Sequence, residues 1–283
     1  MHKKTILVTG ASGYLGPHII QTLANNGHRV IAVGDQAQVA HPSVLYVNED
    51  IRDIDAGKFP DGKIPDACLH LAWRNGFTHN ADTHLEDLAT HHAFLVRMAK
   101  LGIHQFCVLG SVHEIGYFNG MVDETTPTNP RSLYGIAKNA LRASLQVSLP
   151  EHQATLQWLR LFYIVGDPER GQSVFSKLLR MDRQGVTSVP FTTGRNKFDF
   201  IEIEDLSDQI CAVVSQDKVN GIIHCCSGTP VTIREKIDEF IAKNNLAIRP
   251  DYGTLPDRDY DSPAIWGSRS KIDAILQNTS DSN

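Results

Sequence analysis

The chain has 283 residues, with 27 Lys plus Arg against 32 Asp plus Glu and a formal net charge of −5. Hydrophobic residues make up 41% and charged residues 21%, ordinary globular usage that supports a core without disulfides or metal. The mild acidity gives no electrostatic reason to expect nucleic acid or an anionic membrane as partner.

Up to about residue 165, short β-branched apolar runs alternate with helical patterns. Strands are expected at Thr5–Thr9, Arg29–Val33, Val44–Val47, Ala67–Leu71, Gln105–Leu109 and Thr155–Leu161, with helices at Tyr14–Asn26, Ala81–Leu101 and Ser132–Ser148. Apolar strands separated by helices predict an α/β fold with a parallel, doubly wound sheet. Gly27 and Gly102 stand where a left-handed helix C-cap is needed before the next strand. After Gly166 the pattern loosens into a helix at Gln172–Arg183, strands at Thr187–Phe191, Phe198–Ile203 and Gly221–Cys225, and helices at Glu204–Ser215 and Thr232–Lys243. A tail with Pro250, Pro256 and Pro263 follows. The expected organisation is a dinucleotide-binding domain over residues 1–165, rejoined by 192–225, with 166–191 and 226–283 forming a smaller substrate-binding lobe.

The five cysteines, Cys68, Cys107, Cys211, Cys225 and Cys226, form no CxxC pair and read as reduced, buried thiols. The 13 histidines are scattered without ligand spacing, so no metal site is expected. The first apolar run is too short for a signal-peptide core and no later run approaches a membrane span, so a cytoplasmic protein is expected.

Thr9-Gly10-Ala11-Ser12-Gly13-Tyr14-Leu15-Gly16 joins the first strand to the first helix. Gly10 allows the tight turn, Gly13 lets backbone approach a pyrophosphate, and Gly16 lets helix pack on strand. The helix N-terminus then offers free N–H groups to the phosphates. The second strand ends Val33-Gly34-Asp35. An acid there favours the ribose 2′-hydroxyl of NAD, although Gly34 holds the place where the acid is expected; NADP stays open.

Tyr134 and Lys138 lie four residues apart, on one face of a helix. A cation near a phenol lowers its pKa and makes it a usable acid/base. Some twenty residues upstream the fifth strand runs into Leu109-Gly110-Ser111.

In this order and spacing the chain resembles the extended short-chain dehydrogenases/reductases, the group of nucleotide-sugar epimerases, 4-ketoreductases and dehydratases. The resemblance rests on Thr9–Gly16, Asp50-Ile51, His70-Leu71-Ala72, Gly110–Gly116, Tyr134 with Lys138, Arg160-Leu161-Phe162, Asp199-Phe200-Ile201 with Glu204-Asp205, and Pro230–Glu235. It implies a Rossmann-type sheet with a smaller C-terminal lobe. It also implies that Gly10, Gly13, Tyr14, Leu15 and Gly16 hold the pyrophosphate and that Asp50 and Ile51 border the adenine. Leu71, Ala72, Trp73 and Phe162 would line the nicotinamide end, and Lys138 would bind that ribose. Ser111 would hydrogen-bond the substrate oxygen at the carbon that exchanges hydride, and Tyr134 would exchange its proton. His113, Arg195 and Arg258 are further substrate-binding candidates.

Three positions depart from the family pattern: Ile115 for Tyr, Tyr163 for Asn, and Asp87–His91 for Asn-x-x-Gly-Thr. An alternative register through Glu114 would put Val112 on the catalytic hydroxyl position, and the Gly-Ser-x-x-Glu-x-Gly spacing favours Ser111. The implied activity is NAD(P)H-dependent reduction of a nucleotide-diphosphate 4-keto-6-deoxy sugar. The alternatives are a sugar 4-epimerase and a non-catalytic NAD(P)-sensing regulator. The helices Ala81–Leu101 and Ser132–Ser148 resemble those that pair across a dimer in the family, so a homodimer is expected.

Overall fold

The structure is a computed structural model and describes residues 3–36, 38–259 and 261–280. In chain order its elements are β1 (Thr5–Thr9), α1 (Gly16–Asn25), β2 (Arg29–Val33), β3 (Val44–Val47), β4 (Ala67–His70), α2 (Thr83–Glu86), α3 (Leu88–Lys100) and β5 (Gln105–Ser111). There follow β6 (Gly120–Val122), α4 (Leu133–Ser148), β7 (Thr155–Leu161), β8 (Tyr163–Val165), α5 (Val174–Arg183), β9 (Ser188–Phe191), β10 (Lys197–Glu202) and α6 (Ile203–Ser215). The rest are β11 (Gly221–Cys225), β12 (Pro230–Thr232), α7 (Ile233–Lys243), β13 (Arg249–Tyr252), β14 (Ala264–Gly267) and α8 (Ser270–Ser280).

Seven parallel strands form the main sheet in the order β11-β7-β5-β4-β1-β2-β3. Period-two alternation divides its side chains between two cores. Ile6, Val8, Val30, Ala32, Ala67, Leu69, Cys107 and Leu109 face the layer that holds residues of α1, α6 and α8. Leu7, Ile31, Val33, Cys68, Phe106 and Val108 face α3 and α4. Each fully buried Leu, Ile or Phe contributes about 1.5–3 kcal/mol, against about 0–1 kcal/mol for an exposed ion pair, so these two layers hold the sheet. Gly27 and Gly102 do close helices in positive φ, at 83° and 104°.

A smaller sheet, β12-β10-β14-β6 with β8 on β10, and the pair β13-β9 stand beyond the carboxyl ends of the main strands. Their own apolar core joins α5 and α7 through Phe175, Leu178, Ile237, Phe240 and Ile241.

The expected boundaries shift in two places. β10, placed by the sequence within the returning segment, belongs to the smaller sheet. The tail expected in the lobe sends α8 back, where Ile272 and Ile275 are buried in the main core. The helix expected over Ala81–Leu101 is broken at Asp87 into α2 and α3. No helix among the described residues is long and apolar enough to cross a membrane.

Candidate active site

Strand order reverses beside β1, since β2 continues on one side and β4 pairs on the other. Ligands of open α/β sheets bind at such a switch point. The glycine turn sits there. Gly10 has φ 73°, and a Cβ on it would lie 2.6 Å from the Ala72 nitrogen. A Cβ on Gly16 would lie 2.3 Å from the Ala11 carbonyl oxygen, so α1 starts pressed against the turn. Gly13 has only the Gly10 carbonyl within contact, leaving its other side open to a ligand.

One cleft of about 1920 Å³ runs from this turn across the sheet edge into the smaller lobe. Single small-molecule sites span about 300–1000 Å³, so this one has room for two ligands end to end. Gly10, Gly13, Tyr14, Leu15, Gly16, Asp50, Ile51, Leu71, Ala72, Trp73 and Phe162 all line it, a shape and residue set that fit a dinucleotide. Arg52 binds Asp50 through its backbone N–H at 2.8 Å and its guanidinium at 2.8 and 3.0 Å. Those bonds hold the Asp50 carboxyl below the usual carboxylate range.

Asp35 is exposed at the end of β2 and lies outside the cleft lining, where Gly34 stands instead. A Cβ at Gly34 would come within 3.0 Å of the Ser12 hydroxyl and 3.1 Å of the Ser12 nitrogen. A side chain is crowded out there, and the acid sits one residue later, accepting a hydrogen bond from Ser12. A strap follows β8 that no sequence pattern marks. The Tyr14 hydroxyl donates to the Gly166 carbonyl at 2.6 Å, His18 pairs with Asp167 at 2.9 Å, and Arg170 donates to the Ser12 carbonyl at 3.1 Å. These ties bind the segment to the glycine turn and α1.

Ser111 ends β5, and Tyr134 lies in the first turn of α4, which is capped by Ser132 accepting from the Gly135 N–H. A Cβ at Gly135 would lie 2.3 Å from the His113 carbonyl oxygen. That close approach brings α4 onto the turn after Ser111 and allows a hydrogen bond between the Ser111 and Tyr134 hydroxyls. Lys138 is 3% exposed, donates to the Leu109 carbonyl at 2.8 Å and lies 3.8 Å from the Trp73 ring centroid.

The expected lowering of the phenol by the lysine is not what this arrangement produces. Burial pushes Tyr134 up to about 12, opposed by the Ser111 hydrogen bond and aided by the Glu114 charge. Burial draws Lys138 down to about 7, although Glu114 opposes the fall. The ammonium is turned to the Leu109 carbonyl and the Trp73 face, 5.8 Å from the Tyr134 ring centroid. Tyr134 is therefore protonated at neutral pH, the state a proton donor needs.

The Lys138 shift has a sign that can be measured. With a folded pKa of about 7 against 10.5, the folded protein binds fewer protons than the unfolded chain in that window. Stability should rise with pH across it, the cost being fully present below about pH 7. Lys138→Met should lack that rise. Melting of the native and variant proteins at about pH 6 and about pH 10 tests it, and equal changes in Tm would contradict the buried amine.

The scattered histidines converge. The His79 ring stacks on Tyr134 at 5.6 Å and meets His113 at 4.1 Å, and His84 lies 5.2 Å from Tyr134. Burial, with His79 beside it, takes His113 down to about 3. Deeper in, Thr9 Oγ1 bonds His70 Nδ1 at 2.8 Å, and His70 Nε2 bonds His91 Nδ1 at 2.9 Å. His91 stacks on Trp73 at 4.5 Å. Sequence spacing could not reveal this, because β4, the loop after it, α2, α3 and the turn after β5 each supply one ring. Among the described residues no group of three or more His, Cys, Asp or Glu side chains is disposed to hold a metal.

At the lobe end, Phe175, Phe198, Phe200, Ile233 and Leu255 give an apolar wall, and His113 and Arg258 also line the cleft. Arg195 does not: it is exposed between β9 and β10, outside the lining. Arg131 lines the cleft and was missed, a lone loop arginine without a pattern.

Residues 6–226 match the NAD dependent epimerase/dehydratase family. The chain is 40% identical to the dTDP-6-deoxy-L-talose 4-dehydrogenase (NAD(+)) of Aggregatibacter actinomycetemcomitans, over 93% of this chain and 99% of that one. It is 25% identical to a probable dTDP-4,6-dihydroxy-2-methyloxan-3-one 4-ketoreductase of Streptomyces antibioticus, covering 91% and 84%. In fold it is similar to the UDP-glucuronic acid 4-epimerase of Bacillus cereus, solved with UDP-glucuronic acid and NAD, at 20% identity, TM-score 0.79, and 96% and 93% coverage. With the glycine turn, the Ser111–Tyr134–Lys138 centre and these matches in hand, the chain belongs to the NAD dependent epimerase/dehydratase family, as an enzyme of the extended short-chain dehydrogenase/reductase type.

Proposed function

We propose that the protein interconverts the C4 ketone and C4 alcohol of a nucleotide-diphosphate-linked 6-deoxyhexose, with reduction of the 4-keto sugar as the direction its reacting centre suits. The observation that carries this reading is one cleft lined by the glycine turn, by Ser111, Tyr134 and Lys138, and by an apolar wall. A 6-deoxy sugar presents a methyl group where other hexoses carry a hydroxyl, and an apolar wall suits it. The full-length relative that oxidises a dTDP-6-deoxyhexose at C4 supports the same substrate class.

NADH, held by the glycine turn and Lys138, would supply the hydride that C4 accepts. Tyr134 gives its proton to the C4 oxygen as the negative charge forms there, and Ser111 donates a hydrogen bond to the same oxygen. Lys138, whose Nζ lies over the Trp73 ring, would hold the ribose side of the cofactor. A 4-epimerase would use the same groups but return the cofactor each cycle. Stoichiometric loss of NADH with a dTDP-4-keto-6-deoxyhexose supports the reductase; a C4 epimer formed with only trace NAD supports the epimerase instead.

NAD(H) should bind more tightly than NADP(H), because a carboxylate at Asp35 accepts from a 2′-hydroxyl and repels a 2′-phosphate. Asp35→Ser should narrow that preference in a titration of both cofactors. A native preference for NADP(H) would mean that Asp35 does not meet the ribose.

A homodimer through α2, α3 and α4 is part of the reading. Leu85, Ile136 and Val147 are 48%, 42% and 71% exposed. Ile136, Ala140, Ala143 and Val147 make one apolar stripe at helical spacing on α4. Light scattering of the native protein and of Val147→Glu tests it, with a native monomer as the contrary result.

A further inference from the structure

We infer that Glu114 is a positioning residue of the reacting centre: from inside the sheet it fixes Ser111 so that the serine hydroxyl is presented to Tyr134 and the substrate oxygen. The inference rests on Ser111 serving the reaction as proposed above.

Glu114 has no exposed surface. It closes the 3-10 turn Val112–Glu114 that follows β5, and its Oε1 accepts the Ser111 N–H at 2.7 Å. The Ser111 hydroxyl oxygen in turn accepts the His113 N–H at 3.2 Å. These reciprocal bonds fix the backbone and the rotamer of one residue together. With one lone pair of the Ser111 oxygen occupied by His113, its proton remains for Tyr134.

The carboxylate is itself held on every side. The Trp158 indole N–H reaches its two oxygens at 2.9 and 3.1 Å, Arg160 donates at 2.9 Å, and the Arg142 Nε lies 3.7 Å away. Trp158 and Arg160 are two apart on β7, so both point to the same face. Arg160 is fully buried as well and is backed by His224 at 3.5 Å. Gly110 makes room for the group. A Cβ there would lie 2.1 Å from the Trp158 Nε1 and 2.6 Å from Glu114 Oε1. The glycine before Ser111 thus makes room for the carboxylate and its indole partner while also lining the cleft.

Stability alone does not call for this pair, because apolar side chains of equal volume commonly replace a buried ion pair without loss. What an apolar group could not do is accept the Ser111 N–H. The charge also faces the reacting groups. Lys138 and Arg142 approach it from α4 and Arg160 from β7, while Tyr134 is met on its other sides by His79, His84 and His113. Glu114 raises both Lys138 and Tyr134.

The test compares the native chain with Glu114→Met, Ser111→Ala and the two combined, after melting curves show each folded. Since Glu114→Met leaves Arg160 without a counter-charge, Glu114→Met with Arg160→Met is made as well and read by kcat. Both Glu114 variants should lose about 10²-fold in kcat, as expected for a reacting group displaced by about 1 Å, with a smaller change in KM. Added to Ser111→Ala, Glu114→Met should cost little more, because the two act as a unit. Tyr134 gives a readout that needs no sugar. Its ultraviolet titration, taken as the difference from Tyr134→Phe, should move to higher pH in Glu114→Met, because the Ser111 hydrogen bond that lowers the phenol outweighs the Glu114 charge that raises it. Native kcat in the folded variants, additive losses, or a phenol titration that is unmoved or moves lower would each overturn the inference. A native protein that consumes no NADH with the keto sugar would instead overturn the proposed function, and the phenol titration would still decide on Glu114.

Discussion

Tyr134→Phe should lower kcat by about 10²–10⁴-fold, the contribution of a positioned proton-transfer group, while NAD(H) affinity changes little. The ring keeps its contacts with His79 at 5.6 Å and Trp73 at 6.1 Å, so the pocket wall persists. What disappears is the hydroxyl that bonds Ser111 and carries the proton. His113 cannot replace it at neutral pH, because burial holds it near 3 and it is an unprotonated imidazole there. Single-turnover rates and cofactor titration separate the two effects. Near-native turnover by the phenylalanine variant would remove Tyr134 from the mechanism.

The second large effect concerns a reaction that should not occur. Loss of water across C5 and C6 of a nucleotide-linked hexose needs one group to take the C5 proton and another to protonate the leaving hydroxyl. The two residues that follow Ser111, beside the reacting centre, are Val112 and His113. Val112 is buried and cannot ionise, and His113 near 3 has no proton to give at neutral pH. Glu114, the nearest carboxylate in sequence, is turned into the sheet and bound by Trp158 and Arg160. Each missing group should cost about 10²–10⁴-fold. Incubation with dTDP-glucose and NAD should yield no 4-keto-6-deoxy sugar. Efficient dehydration would show that the groups around Ser111 are arranged differently.

The parallel sheet was legible because most of its strands are buried on both faces, the edge strand β3 being only half-buried. β1, β2, β3, β7 and β11 run over the very residues their apolar runs predicted. Strand ends were harder. β5 continues through Gly110 and Ser111, carried by pairing with Arg160 and Leu161 that no local propensity announces. The short strands of the smaller sheet were invisible for a related reason: β6, β8 and β12 have three residues each and exist only through partners far along the chain. At the site, the glycine turn and Ser111, Tyr134 and Lys138 could be placed from order and spacing. The state of those groups could not, since the depression of Lys138 and the elevation of Tyr134 come from burial beneath Trp73 and the histidines. Arg195 shows the opposite failure, a charge assigned to the cleft that folds away from it.

The return of α8 to the main sheet bears on how the protein is made. On the ribosome, β1 to β7 emerge long before Ile272 and Ile275, which complete the core on the α1 and α6 side. At about 5–20 residues per second the gap is on the order of ten seconds. For about the first half of it, until Gly221–Cys225 emerges, β7 lacks β11, and its open edge is a template for another nascent chain. A gene cut after β7 would make that interval permanent, so expression of the first half alone should yield aggregates and not a folded cofactor-binding domain.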